Sequence, residues 1–171
     1  MTQTPVTYLD FTLGGERVHD LVACCLGYES DDISALHDGW PDGAIESIER
    51  LLGLADPDLP DGRTSIYVCP ECGDLGCGAV TARVRFTETT VEWRDLGFQD
   101  ENFPEITPIL DGGAPLSVRF DRASYEEHLE RELERFRELA VGWVHPRTVA
   151  ARRRRRERLA RWRAALRRPG R

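Results

Sequence analysis

Ile66-Tyr67-Val68-Cys69-Pro70-Glu71-Cys72-Gly73-Asp74-Leu75-Gly76-Cys77-Gly78-Ala79-Val80-Thr81-Ala82-Arg83-Val84-Arg85-Phe86 decides the fold: an apolar run enters a turn with three cysteines, and an alternating run leaves it. Val80, Ala82, Val84 and Phe86 alternate with Thr81, Arg83 and Arg85, the period of two that places one side-chain set on a packed face and the other toward water. Val91 and Trp93 resume the alternation after Thr87–Thr90, so three consecutive antiparallel strands are predicted, with the cysteine turn joining the first two.

Upstream, Leu9, Phe11 and Leu13 alternate with Asp10 and Thr12, and Gly14-Gly15 precedes Val18–Val22. That pattern predicts a hairpin with a primed turn, and Cys24-Cys25 then reads as a pair of buried strand residues. Asp31–Gly43, broken by Gly39, Pro41 and Gly43, reads as a loop or short helical piece. From Ala44, Ile45, Ile48, Leu51 and Leu52 fall at helical spacing, with Gly53 in the C-terminal cap position. Downstream, Gly97–Pro115 contains three prolines and Asp111-Gly112-Gly113 and reads as a long surface loop. Leu116–Phe120 returns to strand.

Ser124 and Glu127 have the spacing of a capping box, and Leu129, Leu133, Phe136, Ala140 and Trp143 mark one face of a helix to about Val144. Pro146 breaks that helix, and Thr148–Leu166 reads as another, with Leu159, Trp162 and Leu166 as a thin apolar stripe. The predicted class is α+β, a mostly antiparallel sheet with helices on one side. The predicted domains are 1–145, which holds the cysteine turn, and 146–171, an arginine-rich helical extension.

All 23 basic residues are arginine. Residues 147–171 hold twelve arginines and one acid, Glu157, a charge of +11; the total of −7 therefore leaves −18 on residues 1–146. A like-charged block solvates, repels itself or contacts a partner, and the acidic body is the first surface that attracts it. Arg152, Arg153, Arg154, Arg155 and Arg156 have the chemistry of a phosphate contact, which makes a nucleic acid one candidate partner; an unidentified protein or a second copy is the other. No apolar run reaches the roughly 18 residues that a membrane span needs, and the N-terminus lacks a signal-peptide pattern, so a soluble, cytoplasmic protein is predicted.

Cytosolic thiols are kept reduced, so five cysteines favour metal ligation or free thiols over disulfides. Cys69, Cys72 and Cys77 are the candidate ligands. Cys-Pro-x-Cys-Gly matches half of a zinc ribbon, in which two thiolates on a tight turn reach one tetrahedral ion. The fourth ligand would come from Cys24, Cys25, His19 or His37, since the chain contains no second Cys-x-x-Cys. A redox dithiol normally opens a helix, whereas this motif precedes a strand. The histidines His19, His37, His128 and His145 share no ligand spacing. Glu126, Glu127, Glu130, Glu132, Glu134 and Glu138 sit among arginines at ion-pair spacing. The glycine pairs lack the flanks of a phosphate loop, and no serine or threonine occupies a nucleophile elbow.

The stretch Tyr67–Val80 with its Cys-Gly-Asp-x-Gly-Cys-Gly turn, followed by Val91-Glu92-Trp93-Arg94-Asp95-Leu96-Gly97 and by Phe120, Asp121 and Tyr125, resembles an uncharacterised family of small bacterial proteins frequent in actinobacteria. The resemblance covers about residues 7–130, and the matching family pattern leans on Cys72 and Cys77 more than on Cys69. Some members carry an automatic oxidoreductase label, so the resemblance implies a thiol-dependent oxidoreductase as an alternative. With no complete catalytic constellation in the residues, the expected function is a small non-catalytic protein with a structural, zinc-binding cysteine turn and a macromolecular partner.

Overall fold

The computed structural model describes residues 7–27, 31–70, 73, 75–100 and 105–144, together with 148, 154 and 158 singly. In chain order its elements are β1 (Thr12–Leu13), β2 (Glu16–Arg17), α1 (Val18–Leu26), β3 (Ile33–Ser34), α2 (Pro41–Leu51), β4 (Thr64–Val68), β5 (Ala79–Phe86), β6 (Thr90–Gln99), β7 (Thr107–Pro108), β8 (Leu110–Asp111), β9 (Ala114–Pro115), β10 (Val118–Asp121) and α3 (Arg122–Ala140). The class is α+β. The main sheet is antiparallel in the order β10-β6-β5-β4-β3, with β7 also pairing β6.

The chain divides into two compact units, 1–140 and 141–171. In the second, Val141–Val144 form an irregular turn, and residues 148, 154 and 158 are helical. The apolar stripe Leu159, Trp162 and Leu166 and the arginine run apart from Arg154 lie outside the described residues.

The predicted meander is β4, β5 and β6. Its centre is Trp93, fully buried and flanked edge-on by Phe11 at 4.6 Å and Phe120 at 4.9 Å between ring centroids. Trp93 Nε1 donates to Tyr125 Oη (3.1 Å), and Tyr125 Oη donates to the Leu51 carbonyl (3.1 Å). One polar chain thus ties β6 to α3 and α3 to the end of α2, and it satisfies polar atoms that burial would otherwise leave costly. Burial of the Tyr125 hydroxyl raises its pKa far above the ordinary phenol value, so it acts only as the neutral group.

The inward phase of β6 changes midway. Val91 and Trp93 are buried, Arg94 and Asp95 are exposed, and Leu96 is buried again. The cause is a bulge: Thr81 faces Gly97 but Arg83 faces Arg94, and Asp95 takes φ 53°, unusual for a side-chain-bearing residue. Arg63, with no exposed surface, pins it: Nε donates to Thr81 Oγ1 (2.8 Å), and Nη2 donates to the carbonyls of Thr81 (2.7 Å) and Asp95 (2.6 Å).

Four predicted details change. The Gly14-Gly15 turn forms, but its second strand is only Glu16–Arg17, and Val18–Val22 opens a helix whose buried residues are Val18 and Val22. Cys24 and Cys25 are accordingly helical, not strand residues, and Cys24 is exposed. Helix α2 starts at Pro41, whose fixed φ and missing N–H suit a first helical position, and Gly53 does adopt the left-handed conformation (φ 71°). Asp121 rather than Ser124 caps α3: its Oδ1 accepts the Ser124 N–H (2.9 Å), so Ser124 already lies inside the first turn. Among the described residues of the loop predicted over Gly97–Pro115, more than half are strand. β6 runs on to Gln99, β7 pairs with it, and β8 and β9 form a second small hairpin; Pro108 and Pro115 occupy the ends of two-residue strands, where a missing donor costs little.

Candidate functional site: the cleft beside the cysteine turn

The turn after β4 is closed by the Val68–Ala79 pair, so Cys69 and Cys77 lie on one short connection, one and two residues beyond that pair. Within it, Gly73 N–H donates to the Cys69 carbonyl (2.8 Å), Leu75–Cys77 make one 3-10 turn, and Gly78 N–H donates to the Leu75 carbonyl (3.0 Å). Two glycines of the turn take positive φ, and at Gly78 a close contact also demands it. Gly73 (φ 63°) lies against the Trp40 ring, where an added Cβ would meet Cζ3 at 3.6 Å. Gly78 (φ 90°) lies under Phe98, where a Cβ would stand 2.1 Å from Cζ.

Trp40 precedes Pro41 at the start of α2 and is 39 % exposed. Its indole also covers Gly43, whose Cβ position is 2.4 Å from Cε3. The ring therefore sits over α2 where only a glycine, Gly43, leaves room for it, and touches Gly73 of the cysteine turn at ordinary contact distance.

Beside this indole is a cleft of 180 Å³ lined by Ala35, His37, Trp40, Gly43, Glu46, Ser47, Arg50, Asp58, Ser65, Val68, Gly73 and Leu75. Arg50 Nη2 is 3.3 Å from Glu46 Oε2 across one helical turn. Asp58 accepts the Ser65 N–H at Oδ1 (3.0 Å) and the Ser65 hydroxyl at Oδ2. His37, which lines the cleft, has a buried Nδ1 with no hydrogen-bond partner among the described residues, and burial lowers its pKa, which favours the neutral ring.

Of the candidate ligands, Cys69 is half-buried and Cys77 exposed, while Cys72 lies outside the described residues. Among the described residues no three His, Cys, Asp or Glu side chains converge as a metal group. The fourth-ligand candidates separate. His37 lines the cleft with Gly73 and Leu75 of the turn. His19 packs edge-on to Tyr67 at 5.3 Å and lines a different cleft with Tyr8, Arg17, Asp20, Asp31 and Asp32. Cys24 and Cys25 are on α1, and burial followed by Asp111 pushes the Cys25 thiol up, away from the thiolate that metal or redox chemistry needs. His128 is exposed on α3, held through Nδ1 by the Ser124 carbonyl, and His145 lies outside the described residues.

A larger cleft of 330 Å³ lies between the first hairpin and α3, but its charged groups are engaged: Asp10 with Phe11 N, Arg17 and the Tyr67 hydroxyl, and Arg119 with Glu92. No helix among the described residues is long and apolar enough to cross a membrane. No family model, no curated protein and no solved structure matches the chain. The cleft is therefore read from its own residues. Reading the sequence missed Trp40, Glu46, Arg50, Asp58 and Ser65 as a group; the available signal was an aromatic residue directly before an N1 proline, with glycine three positions on.

Proposed function

We propose that this chain is a small cytoplasmic, non-catalytic binding protein whose contact site is the cleft beside the cysteine turn. The carrying observation is the state of the cleft's polar groups. Asp58 holds Ser65, Glu46 holds Arg50, and between them the Trp40 indole is partly exposed. An exposed tryptophan flanked by charged groups that are paired with their neighbours has the chemistry of recognition. In this reading the cysteine turn is a structural brace that positions Gly73 against Trp40, and a zinc ion on Cys69, Cys72 and Cys77 belongs to the same proposal, since thiolates on one short connection can share an ion.

The competing reading, thiol-dependent oxidoreductase chemistry, is tested directly. Purified full-length protein is assayed for reduction of a disulfide substrate by a dithiol, alongside Cys69→Ser and Cys77→Ser variants. The expected result is no rate above background for any of them, with a lower thermal midpoint for the variants. Turnover that disappears in either variant overturns the proposal.

A further inference from the structure

We propose that the cleft receives one arginine side chain from a partner protein, its guanidinium facing the Trp40 indole with Glu46 and Asp58 as counter-charges. This inference rests on the reading of the chain as a binding protein and adds the chemistry of what is bound.

Size sets the first limit. At 180 Å³ the cleft lies below the roughly 300 Å³ at which pockets for drug-sized ligands and cofactors begin, so it suits a single side chain rather than a nucleotide or coenzyme. Charge sets the second. Among the described lining residues Glu46, Asp58 and Arg50 sum to one negative charge when His37 is neutral, on a chain whose net charge is −7. An anion would meet this field as repulsion, whereas a cation is steered toward it.

The aromatic surface separates the two cationic side chains. A guanidinium is planar, weakly hydrated and able to stack on an indole, while an ammonium is a compact, strongly hydrated charge. Gly43 and Gly73 both meet the Cε3–Cζ3 edge of the indole, and the residue keeps 39 % of its surface exposed. Asp58 has each oxygen engaged once by Ser65, and a carboxylate oxygen accepts a second hydrogen bond; Glu46 likewise keeps an oxygen free of Arg50. Both can therefore accept from an incoming guanidinium without giving up their present bonds.

The test is an NMR titration of the full-length ¹⁵N-labelled protein with the capped pentapeptide Gly-Gly-Arg-Gly-Gly and with its lysine and citrulline counterparts, citrulline being the neutral near-isostere. The expected result is a saturable shift of the Trp40 indole N–H and of the Ser47 and Gly73 amides with the arginine peptide. Binding should be at least about fivefold weaker with citrulline, as loss of a cation–π contact and of charge pairing implies. Glu46→Gln should weaken the arginine peptide several-fold, and Trp40→Ala should abolish the Ser47 and Gly73 shifts, both variants being checked for a native amide spectrum. Equal shifts from citrulline, or shifts scattered over the acidic surface that survive Trp40→Ala, overturn the inference. Shifts of these resonances on raising protein concentration without peptide overturn the assignment to a partner and give the cleft to a second copy. Absence of any shift refutes the arginine chemistry alone, since the binding reading is tested separately by cross-linking at position 46.

Discussion

Arg63→Met removes the pin of the β5–β6 bulge while keeping an unbranched, apolar side chain in a fully buried position. The guanidinium makes three bonds of 2.6–2.8 Å, one to a hydroxyl and two to backbone carbonyls. Hydrogen bonds from a charged donor are worth about 1.5–3 kcal/mol each, so the gross loss is roughly 5–9 kcal/mol. Against it stands the desolvation of a buried cation, several kcal/mol, which methionine does not suffer; the same desolvation is the main cause that lowers the arginine pKa. The two carbonyls left behind stay buried or part-buried, and that cost is already contained in the gross loss. The net expectation is a destabilisation of about 3–5 kcal/mol, a large share of the roughly 5–15 kcal/mol typical of a domain. Arg63→Lys should recover little, because one ammonium cannot reproduce the planar fork. The assay is urea unfolding followed by circular dichroism, with the midpoint compared at constant m. A loss below about 1 kcal/mol for Arg63→Met would refute the reasoning and show the bulge to be self-supporting.

Gly78→Ala should destabilise by about 2 kcal/mol or more, from the positive φ and the clash with Phe98; thermal melts should show part of this cost returning in a Phe98→Ala background, and equal costs in both backgrounds would exclude the clash. Glu92, held by Arg94 and Arg119, and Asp121, held by the Ser124 N–H, have pKa values depressed in the fold. Their stabilisation is therefore complete above the unfolded carboxylate range near pH 4 and is lost as pH falls through the folded values, so the double variant Glu92→Gln, Asp121→Asn should show a flatter acid limb in the melting midpoint. His37 is also depressed, and its contribution fades as pH drops below about 6.5; His37→Gln should remove that segment of the pH profile. Elemental mass spectrometry on untagged protein should find one zinc per chain, lost in Cys72→Ser; metal-free protein with every thiol reactive would remove the zinc brace.

Alternation made the meander legible because the first half of β6 buries one face and Val80, Ala82, Val91 and Trp93 are all core residues, although β5 buries both faces at its start, where Thr81 is enclosed rather than turned to water. Legibility failed where tertiary contacts override the local pattern. Val18–Val22 has no period-two signature of its own, and a run of apolar residues that short fits strand or helix equally; packing of α1 decides it. In Gly97–Pro115, glycines and prolines suggested a loop, but two-residue strands tolerate both, and strands as short as β7, β8 and β9 carry no alternation long enough to mark them. The bulge at Asp95 carries no local mark, since its pin, Arg63, is 32 positions away. The cysteine turn was conspicuous from composition alone. The cleft beside it was not, because its wall is assembled from α2, the segment before it and the chain preceding β4, brought together only by folding.

The central claim, that a partner meets this protein at the cleft, is tested most directly by placing a photo-cross-linking amino acid at position 46 of the full-length chain in the producing cells, with position 131 on α3 as the control. The account predicts one discrete covalent adduct from position 46, lost when Trp40→Ala is added and absent from position 131. No adduct from position 46, or the same adduct from both positions whether or not Trp40 is present, would contradict it.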